Sequence, residues 1–402
     1  MNRRGFLAGA ALALSSPSLV RAQTDALSEA EFNDWVGQLR PRALDAGVSE
    51  AGWSAALEGL SPDPVVIARR ATAAETNRTV TDYILALLNG RGRRARAKYA
   101  SVPQLADIER RSGVPGGPLV AFWGMESDYG GNIGDRDVLR AVATHGAAGS
   151  GGADWAEEFI AAARILQSGA ISRAKMVGSY AGAMGQTQLM PTNYLKYGVD
   201  FDGDGRIDVW GTPVDALASA AAHLKQASGW RAGESWLEEV SLPADLDLKS
   251  VEVEVTQMPP ADWEARGVRR SSGRAWSAAD RAAQARLYLP AGLGRPAFLA
   301  FPNYDAFEGY NPSLPYAVGV CLLAKYAQGE TPYLHDWPPE PALSREARMA
   351  AQAGLAKLGY YDGKIDGDLG RRSRKAVRDW QLATGRPRDG HLTPEDARAL
   401  SA

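Results

Sequence analysis

A glutamate close to two aromatic residues is the first feature of this chain that could carry chemistry. Glu126 follows Phe122 by four residues and Trp123 by three. If Pro118 opens a helix, these side chains share one helical face, and burial against aromatic rings raises the pKa of a carboxyl group. A carboxyl group that keeps its proton near neutral pH can protonate a departing glycosidic oxygen. The local spacing also leaves open a solvated glutamate at a helix end.

A second segment, 52 residues beyond the glutamate, has the composition of a binding floor. Residues 178–194 read GSYAGAMGQTQLMPTNY. Small residues let the backbone approach a flat ligand, and Ser179, Gln186, Thr187 and Gln188 offer polar groups for sugar hydroxyls or acetamides. The segment lacks Lys and Arg and the order of a phosphate-binding loop. A glycine-rich seam between packed helices is the alternative.

An aspartate-rich loop follows the floor. Residues 200–211 place carboxylates at the first, third and fifth positions and glycine at the sixth, as in the front half of a calcium-binding EF-hand loop. Gly211 stands at position twelve, where a bidentate glutamate is expected, so a later aspartate would have to close the site. A solvated acidic turn is the alternative. The predicted ligands are the side chains of Asp200, Asp202, Asp204 and Asp215 with the carbonyl of Arg206.

The elements that must position these residues are mostly helices. Val251–Val255 alternates as a strand does, and the short apolar runs 285–289 and 297–301 predict further strands of a small inserted sheet. Amphipathic stripes, the first of them in a capped segment that begins at Ser28, predict helices over residues 28–39, 80–88, 102–112, 154–168 and 213–227.

The chain divides into a large and a small part. Its 402 residues, 45% of them hydrophobic, suffice for a catalytic core with an added module, and a net charge of −2 gives no case for nucleic acid. Residues 336–342 are proline-rich and predict a linker. The tail predicts three helices, over 347–358, 372–384 and 394–400, the last begun by a capping box at Thr393. A docking or purely structural appendage is the alternative for this tail.

Residues 1–22 have the order of an export signal. Arg3 and Arg4 precede an apolar run from Leu7 to Leu14, and small residues near Ala22 suit a cleavage site. The paired arginines indicate the Tat route, and the apolar run is too short to span a bilayer. No cysteine lies at the cleavage region, so no lipid anchor is predicted. We therefore expect a periplasmic protein that does not span the membrane.

Three segments carry a specific resemblance. The sequences GMESDYG at 124–130, GSYAGAMGQTQLMPTNY at 178–194 and GYNPSLPY at 309–316 resemble the membrane-bound lytic transglycosylase B family, glycoside hydrolase family 103. The resemblance covers most of residues 27–340. The tail motifs LGYYDG and AVRDWQ resemble a three-helix peptidoglycan-binding domain.

The resemblance implies a mainly α fold and a reaction. The expected fold is a lysozyme-like catalytic domain over 23–335 with a small inserted β region, followed by a peptidoglycan-binding domain over 343–402. The expected reaction cleaves peptidoglycan between N-acetylmuramic acid and N-acetylglucosamine and leaves a 1,6-anhydromuramyl end. Glu126 would act as acid and then as base, because the nearest other acid, Asp128, projects from a different helical face. The resemblance assigns substrate contacts to Ser179, Gln188, Tyr310, Asn311 and Tyr316.

The implied partners are glycan strands, with cell-wall synthesis or division proteins considered as further partners. No cofactor is needed for the chemistry, and a structural Ca²⁺ is expected at the aspartate loop. Two other functions stay open from the residues alone. One is a muramidase that hydrolyses the same bond with a distant aspartate, and the other is a non-catalytic wall-binding protein.

Overall fold

The computed structural model describes residues 27–71 and 78–402, so the predicted export signal lies outside the described residues. The helices of the first half are α1 (Glu29–Gln38), α2 (Arg40–Asp45), α3 (Glu50–Leu57), α4 (Pro64–Ala71), α5 (Val80–Ala100), α6 (Leu105–Ser112), α7 (Gly116–Ser127), α8 (Val138–Ala147), α9 (Trp155–Gln167), α10 (Pro191–Tyr197) and α11 (Pro213–Ala227). The later helices are α12 (Pro260–Ala265), α13 (Ala278–Ala282), α14 (Tyr304–Tyr310), α15 (Leu314–Ala327), α16 (Arg345–Lys357), α17 (Arg371–Ala383) and α18 (Pro394–Ser401). The strands are β1 (Arg136–Asp137), β2 (Val177–Gly178), β3 (Leu237–Ser241), β4 (Gln257–Met258), β5 (Arg269–Arg270), β6 (Ala285–Tyr288) and β7 (Ala297–Ala300).

The mainly α fold is confirmed, and the two helices with predicted caps, at Ser28 and Thr393, begin at those caps. Ser28 and Thr393 each form a capping box, and Asp154 caps α9 through the backbone N–H of Glu157. The prediction that Pro118 opens the catalytic helix is wrong. α7 begins two residues earlier, at Gly116, because Pro115 is extended and serves as its N-cap.

α7 lies at the centre of the molecule. Most of its residues are buried, and it packs between α5 and α15. Two glycines permit this close packing. A Cβ on Gly117 would lie 2.7 Å from the carbonyl oxygen of Ala324 in α15, and one on Gly124 would lie 2.6 Å from the Tyr129 ring. α7 is therefore packed closely against α15 and against the residues that follow its own end, which fixes the side chains that project from its last turn.

The inserted sheet is antiparallel, with strand order β4-β6-β7-β3-β5. Two of its strands, β6 and β7, are those predicted from apolar runs. The predicted strand Val251–Val255 is wrong: these residues form a turn, and Glu254 has a left-handed φ of 68°. Val251 and Val253 are buried, and Val255 is exposed. The alternating valines of this segment therefore reflect which residues of a turn are buried, and they do not indicate a strand.

The three predicted tail helices are confirmed as α16, α17 and α18, which enclose a core containing Leu355, Val377 and Trp380. The preceding proline-rich segment forms neither helix nor strand, yet it is packed. Trp337 is buried, and the Glu340 carboxylate accepts a hydrogen bond of 3.0 Å from the backbone N–H of Thr81. The tail thus continues from a segment fixed to the catalytic body.

A buried ion cluster joins the tail to the inserted sheet region. The Glu254 carboxylate accepts hydrogen bonds of 2.6 Å from Arg374 and from Arg378, both on α17. All three side chains are less than a tenth exposed. Arg374 also donates to the carbonyl of Leu289, and the N–H of Leu293 donates to Asp389. These contacts dock the tail against the catalytic body.

Within residues 27–71 and 78–402, no helix is both long enough and apolar enough to cross a membrane.

Candidate active site

Glu126 lies in the last turn of α7 and is partly buried. Its carboxyl oxygen Oε1 accepts a hydrogen bond from the hydroxyl of Tyr316, near the start of α15. Burial raises the pKa of Glu126, and the Tyr316 hydrogen bond and the charge of Arg91 oppose that rise only in part. The carboxyl group is therefore biased toward its protonated form, as a general acid requires.

An aromatic wall lies beside Glu126. Phe122, one turn earlier on α7, is fully buried and stacks on the Tyr310 ring with centroids 4.3 Å apart. The Tyr310 hydroxyl donates to the carbonyl oxygen of Thr187 in the glycine-rich segment. Tyr310 therefore ties the wall of the site to its floor.

The floor is attached to the catalytic helix by a buried amide. Gln186 accepts a hydrogen bond of 2.8 Å from the Trp123 indole and donates to the carbonyl of Trp210. Ser127, next to Glu126, donates to the backbone carbonyl of Gln186 over 2.6 Å. The proposal that Gln186 and Thr187 face a ligand is wrong, because both side chains are buried and bonded internally.

Ser179 and Gln188 are partly buried on this floor. The Ser179 hydroxyl oxygen accepts from the N–H of Ala183 over 3.2 Å. The Gln188 amide nitrogen donates to the carbonyls of Ile133 and Gly185 at 3.1 and 2.9 Å, and its backbone is left-handed with φ 52°. These bonds fix both side chains. The side-chain amide oxygen of Gln188 can still accept a hydrogen bond, and the Ser179 hydroxyl can still donate one.

Asn311 lies in the loop between α14 and α15, one residue beyond Tyr310. Its side-chain oxygen accepts from the N–H of Ser313 over 3.0 Å. Asn311 lines a cavity of about 480 Å³ together with Arg348 and Leu392 of the tail. The loop therefore faces the tail across this cavity.

Two residues near Glu126 were missed by the sequence reasoning. Both Tyr83 and Arg91 are on α5. The Arg91 guanidinium donates to the carbonyl of Gly124 over 2.9 Å and contacts the sulfur of Met125 at 3.2 Å. Burial raises the pKa of Tyr83, and the nearby charge of Glu126 adds to the rise. Local sequence carries no signal for either, because α5 joins the site only through tertiary packing.

The aspartate loop brings three of its predicted ligands together. Oxygens of Asp200, Asp202 and Asp204 all lie within 4.8 Å of one another. Gly205, at the sixth loop position, has a φ of 88°. The structure places Asp215 differently: its two carboxylate oxygens accept from the backbone N–H groups of Phe201 and Asp208. Asp215 therefore closes the loop through the backbone, and the Arg206 N–H donates to Asp204 over 2.8 Å.

The loop is connected to the floor. The hydroxyl of Tyr194, on α10, donates to the carbonyl of Ile207 over 2.7 Å. Oxygen-only donors of this kind suit a hard cation such as Ca²⁺.

Comparisons with known proteins agree with this geometry. Residues 31–325 match the family described as "Transglycosylase SLT domain", and residues 344–400 match the family described as "Putative peptidoglycan binding domain". The membrane-bound lytic murein transglycosylase B of Escherichia coli K12 is 31% identical over 222 residues, which are 53% of this chain and 57% of that protein. The chain thus aligns with little more than half the length of this curated relative.

Solved structures resemble the chain over more of its length. SltB3 from Pseudomonas aeruginosa in complex with NAG-anhNAM-pentapeptide is 39% identical, with a TM-score of 0.83. The match covers 92% of this chain and 99% of that one. SltB3 in complex with NAG-NAM-pentapeptide gives the same identity and coverage, with a TM-score of 0.82.

Proposed function

The chain belongs to the Transglycosylase SLT domain family, and we propose that it is a lytic murein transglycosylase. It would cleave the β-1,4 bond between N-acetylmuramic acid and N-acetylglucosamine in peptidoglycan and leave a 1,6-anhydromuramyl end. The observation that carries the proposal is a single partly buried glutamate, bonded to Tyr316, beside an aromatic wall and a polar floor. The two SltB3 complexes, whose ligands are a NAG-NAM-pentapeptide and its anhydro counterpart, support the substrate class.

The mechanism uses Glu126 twice. Its carboxyl group gives a proton to the glycosidic oxygen as the bond from that oxygen to muramyl C1 breaks. The muramyl 6-hydroxyl oxygen then bonds to C1, and its proton passes to the Glu126 carboxylate, which restores the acid. Because the nucleophile belongs to the substrate, its effective concentration is high and no second carboxylate is needed to activate water. The Tyr316 hydrogen bond and the Arg91 charge favour the carboxylate form needed in the second step.

The proposed substrate contacts follow from groups that keep bonding capacity. The Ser179 hydroxyl would donate to the muramyl acetamide, and the Gln188 carbonyl oxygen would accept from a sugar N–H or O–H group. Tyr310, Asn311 and Tyr316 would close the opposite wall of the site. A tyrosine ring there would cover a sugar face.

We further propose a structural Ca²⁺ at Asp200, Asp202 and Asp204, with the Arg206 carbonyl. Asp215 would support the loop through its two backbone bonds. An ion would relieve repulsion among the clustered carboxylates and brace the floor through Tyr194. It would take no part in proton transfer.

The proposed location is the periplasm, reached through the Tat-like segment 1–22. The proposed partners are glycan strands, which the tail would help to hold, and proteins of cell-wall synthesis or division. The tail's match to a peptidoglycan-binding family supports the first of these.

Product analysis in ¹⁸O-labelled water tests the reaction. Purified glycan strands are digested, and the new muramyl ends are examined by mass spectrometry. The proposal predicts ends that are lighter by one water than a hydrolysed reducing end and that contain no label. Ends that carry ¹⁸O would identify a muramidase, and unchanged strands would identify a binding protein.

A further inference from the structure

Tyr180 is unusual among the tyrosine, tryptophan and phenylalanine residues of the described chain because it is exposed to solvent. Among the Phe, Trp and Tyr residues that the structure describes, it is the only one that is exposed, with 41% of its surface accessible. It directly follows Ser179, which the proposed mechanism places against the muramyl unit. An exposed ring beside a ligand floor presents an apolar face where substrate passes.

The backbone that carries Tyr180 is held in a tight turn. The N–H of Gly182 donates to the carbonyl of Ser179 over 3.0 Å, and the N–H of Ser179 donates to the carbonyl of Ala183 over 2.8 Å. Gly182 has a φ of 81°, and a Cβ there would lie 2.4 Å from a methyl group of Val142 in α8. The turn is therefore pressed onto α8, and the Tyr180 ring lies with its centroid 6.3 Å from that of the His145 ring.

A buried histidine fixes the same turn from behind. A ring nitrogen of His145 lies 3.1 Å from the Tyr180 carbonyl oxygen, and the other lies 2.9 Å from the Ser150 hydroxyl. The His145 ring stacks on Trp155, with centroids 4.4 Å apart and planes inclined by 14°. The Trp155 indole in turn donates to the Ser150 carbonyl over 2.8 Å. Tyr180 is thus exposed on a backbone turn that is already fixed, so ligand binding there costs little conformational entropy.

We propose that Tyr180 is a stacking platform for a pyranose ring of the glycan that lies beyond the disaccharide containing the muramyl unit on the floor. One face of a pyranose carries axial C–H groups, which pack on an aromatic ring while the equatorial hydroxyls reach water. The platform extends the binding site along the strand, so it favours glycans that continue beyond the cleaved disaccharide. This inference rests on the proposed function.

Binding measured without turnover tests the platform. In a Glu126→Gln background, calorimetry compares a peptidoglycan disaccharide with a longer oligosaccharide from the same polymer. Tyr180→Ala is expected to weaken binding of the longer glycan roughly threefold to tenfold, and that of the disaccharide much less. Tyr180→Phe keeps the ring and is expected to bind as the parent does. Leu195→Ala, an exposed substitution on α10, serves as the matched control and should change neither affinity.

The outcomes separate this inference from the function on which it rests. Equal affinities for Tyr180→Ala and the Leu195→Ala control, with glycan still bound, would overturn the platform and leave the function standing. A loss with Tyr180→Phe as large as that with Tyr180→Ala would also overturn it, because the ring face would then be irrelevant. Failure of the parent protein to bind either glycan would overturn the proposed function itself.

Discussion

Glu126 and Glu254 are both withdrawn from solvent, but their surroundings differ in kind. Glu126 has one hydroxyl partner, and burial raises its pKa. Glu254 is more deeply buried, yet Arg374 and Arg378 overcome the effect of burial and lower its pKa. Burial alone therefore does not make an acid catalyst. A buried carboxyl group without a bonded cation is biased toward its protonated form, whereas one bonded to two arginines stays ionised in ion pairs.

The two glutamates also differ in the part of the molecule that each one contacts. Glu126 is positioned by α7 and by partners on α5 and α15, all within the catalytic body. Glu254 faces the tail, which it holds against the inserted sheet region. In the proposed function, one carboxyl group serves the reaction, and the other holds the tail helices in place.

Removing the proton donor should have the largest effect. Glu126→Gln keeps the shape of the side chain and loses its acid function, so glycan cleavage should fall by about a hundredfold to ten-thousandfold. Thermal stability should change little. Turnover of purified glycan strands measures the loss. Glu109→Gln, which changes an exposed side chain on α6, is the control. Near-full activity of Glu126→Gln would assign the proton transfer to another group.

Glu254→Gln should mainly affect stability. The change leaves two buried guanidinium groups without their carboxylate, and breaking such a pair typically costs about 3–5 kcal/mol. Denaturant unfolding measures this loss. Glu252→Gln should cost clearly less, because its carboxylate is more exposed and lies 3.1 Å from Arg388 but 3.8 Å from Arg378. Equal losses for the two variants would show that the buried cluster has no special role in docking.

The same cluster predicts a pH dependence of stability. Because the pKa of Glu254 is lowered in the folded protein, its contribution is present above the ordinary glutamate pKa. The contribution is lost as the pH falls through the lowered value. Wild type should therefore lose more stability on acidification than Glu254→Gln does. Parallel pH profiles for the two proteins would contradict this linkage.

The partners of Glu126 should set the pH at which cleavage declines. Activity requires the protonated acid, so it falls as the pH rises through the Glu126 pKa. Tyr316→Phe and Arg91→Gln each remove an influence that lowers this pKa, so both should move the decline to higher pH. Tyr316→Phe should also reduce the maximal rate roughly tenfold to a hundredfold, because the carboxylate loses a charged hydrogen bond. Arg93→Gln, exposed on the same helix, is the control and should leave the profile unchanged.

The aspartate loop should give the smallest effect on catalysis. Calcium at about a hundred times its dissociation constant would stabilise the fold by about 2.7 kcal/mol. Asp202→Ala with Asp204→Ala should abolish the rise in thermal midpoint while reducing activity only modestly. Asp245→Ala, an exposed aspartate outside the loop, is the matched control. Identical melting curves with calcium and with chelator would exclude a stabilising ion.

Features determined by local sequence were predictable. The helix cap at Ser28, the capping box at Thr393 and the apolar runs of β6 and β7 lie where the residues indicate. Glu254 was not predictable in this way, since its turn is stabilised by arginines 120 and 124 residues later. A period-two pattern cannot reveal a partner so distant in sequence.

The residues of the candidate site also fall into those that the sequence indicates and those that it does not. Glu126 and the glycine-rich floor are recognisable from residue types, and Tyr310 and Tyr316 came only from the family resemblance. Arg91 had no signal, because its position near Glu126 depends on the packing of α5 against α7. The turn that presents Tyr180 likewise depends on a histidine 35 residues earlier in the chain.

A titration of the two carboxyl groups tests the central comparison most directly. Protein with ¹³C-labelled glutamate carboxyls is followed by NMR against pH, and the Glu126 and Glu254 signals are assigned from the two Gln variants. We predict that Glu126 titrates above the ordinary glutamate range, while the Glu254 signal stays that of a carboxylate until the protein unfolds in acid. A Glu126 signal that titrates at or below the ordinary range would contradict its role as the acid.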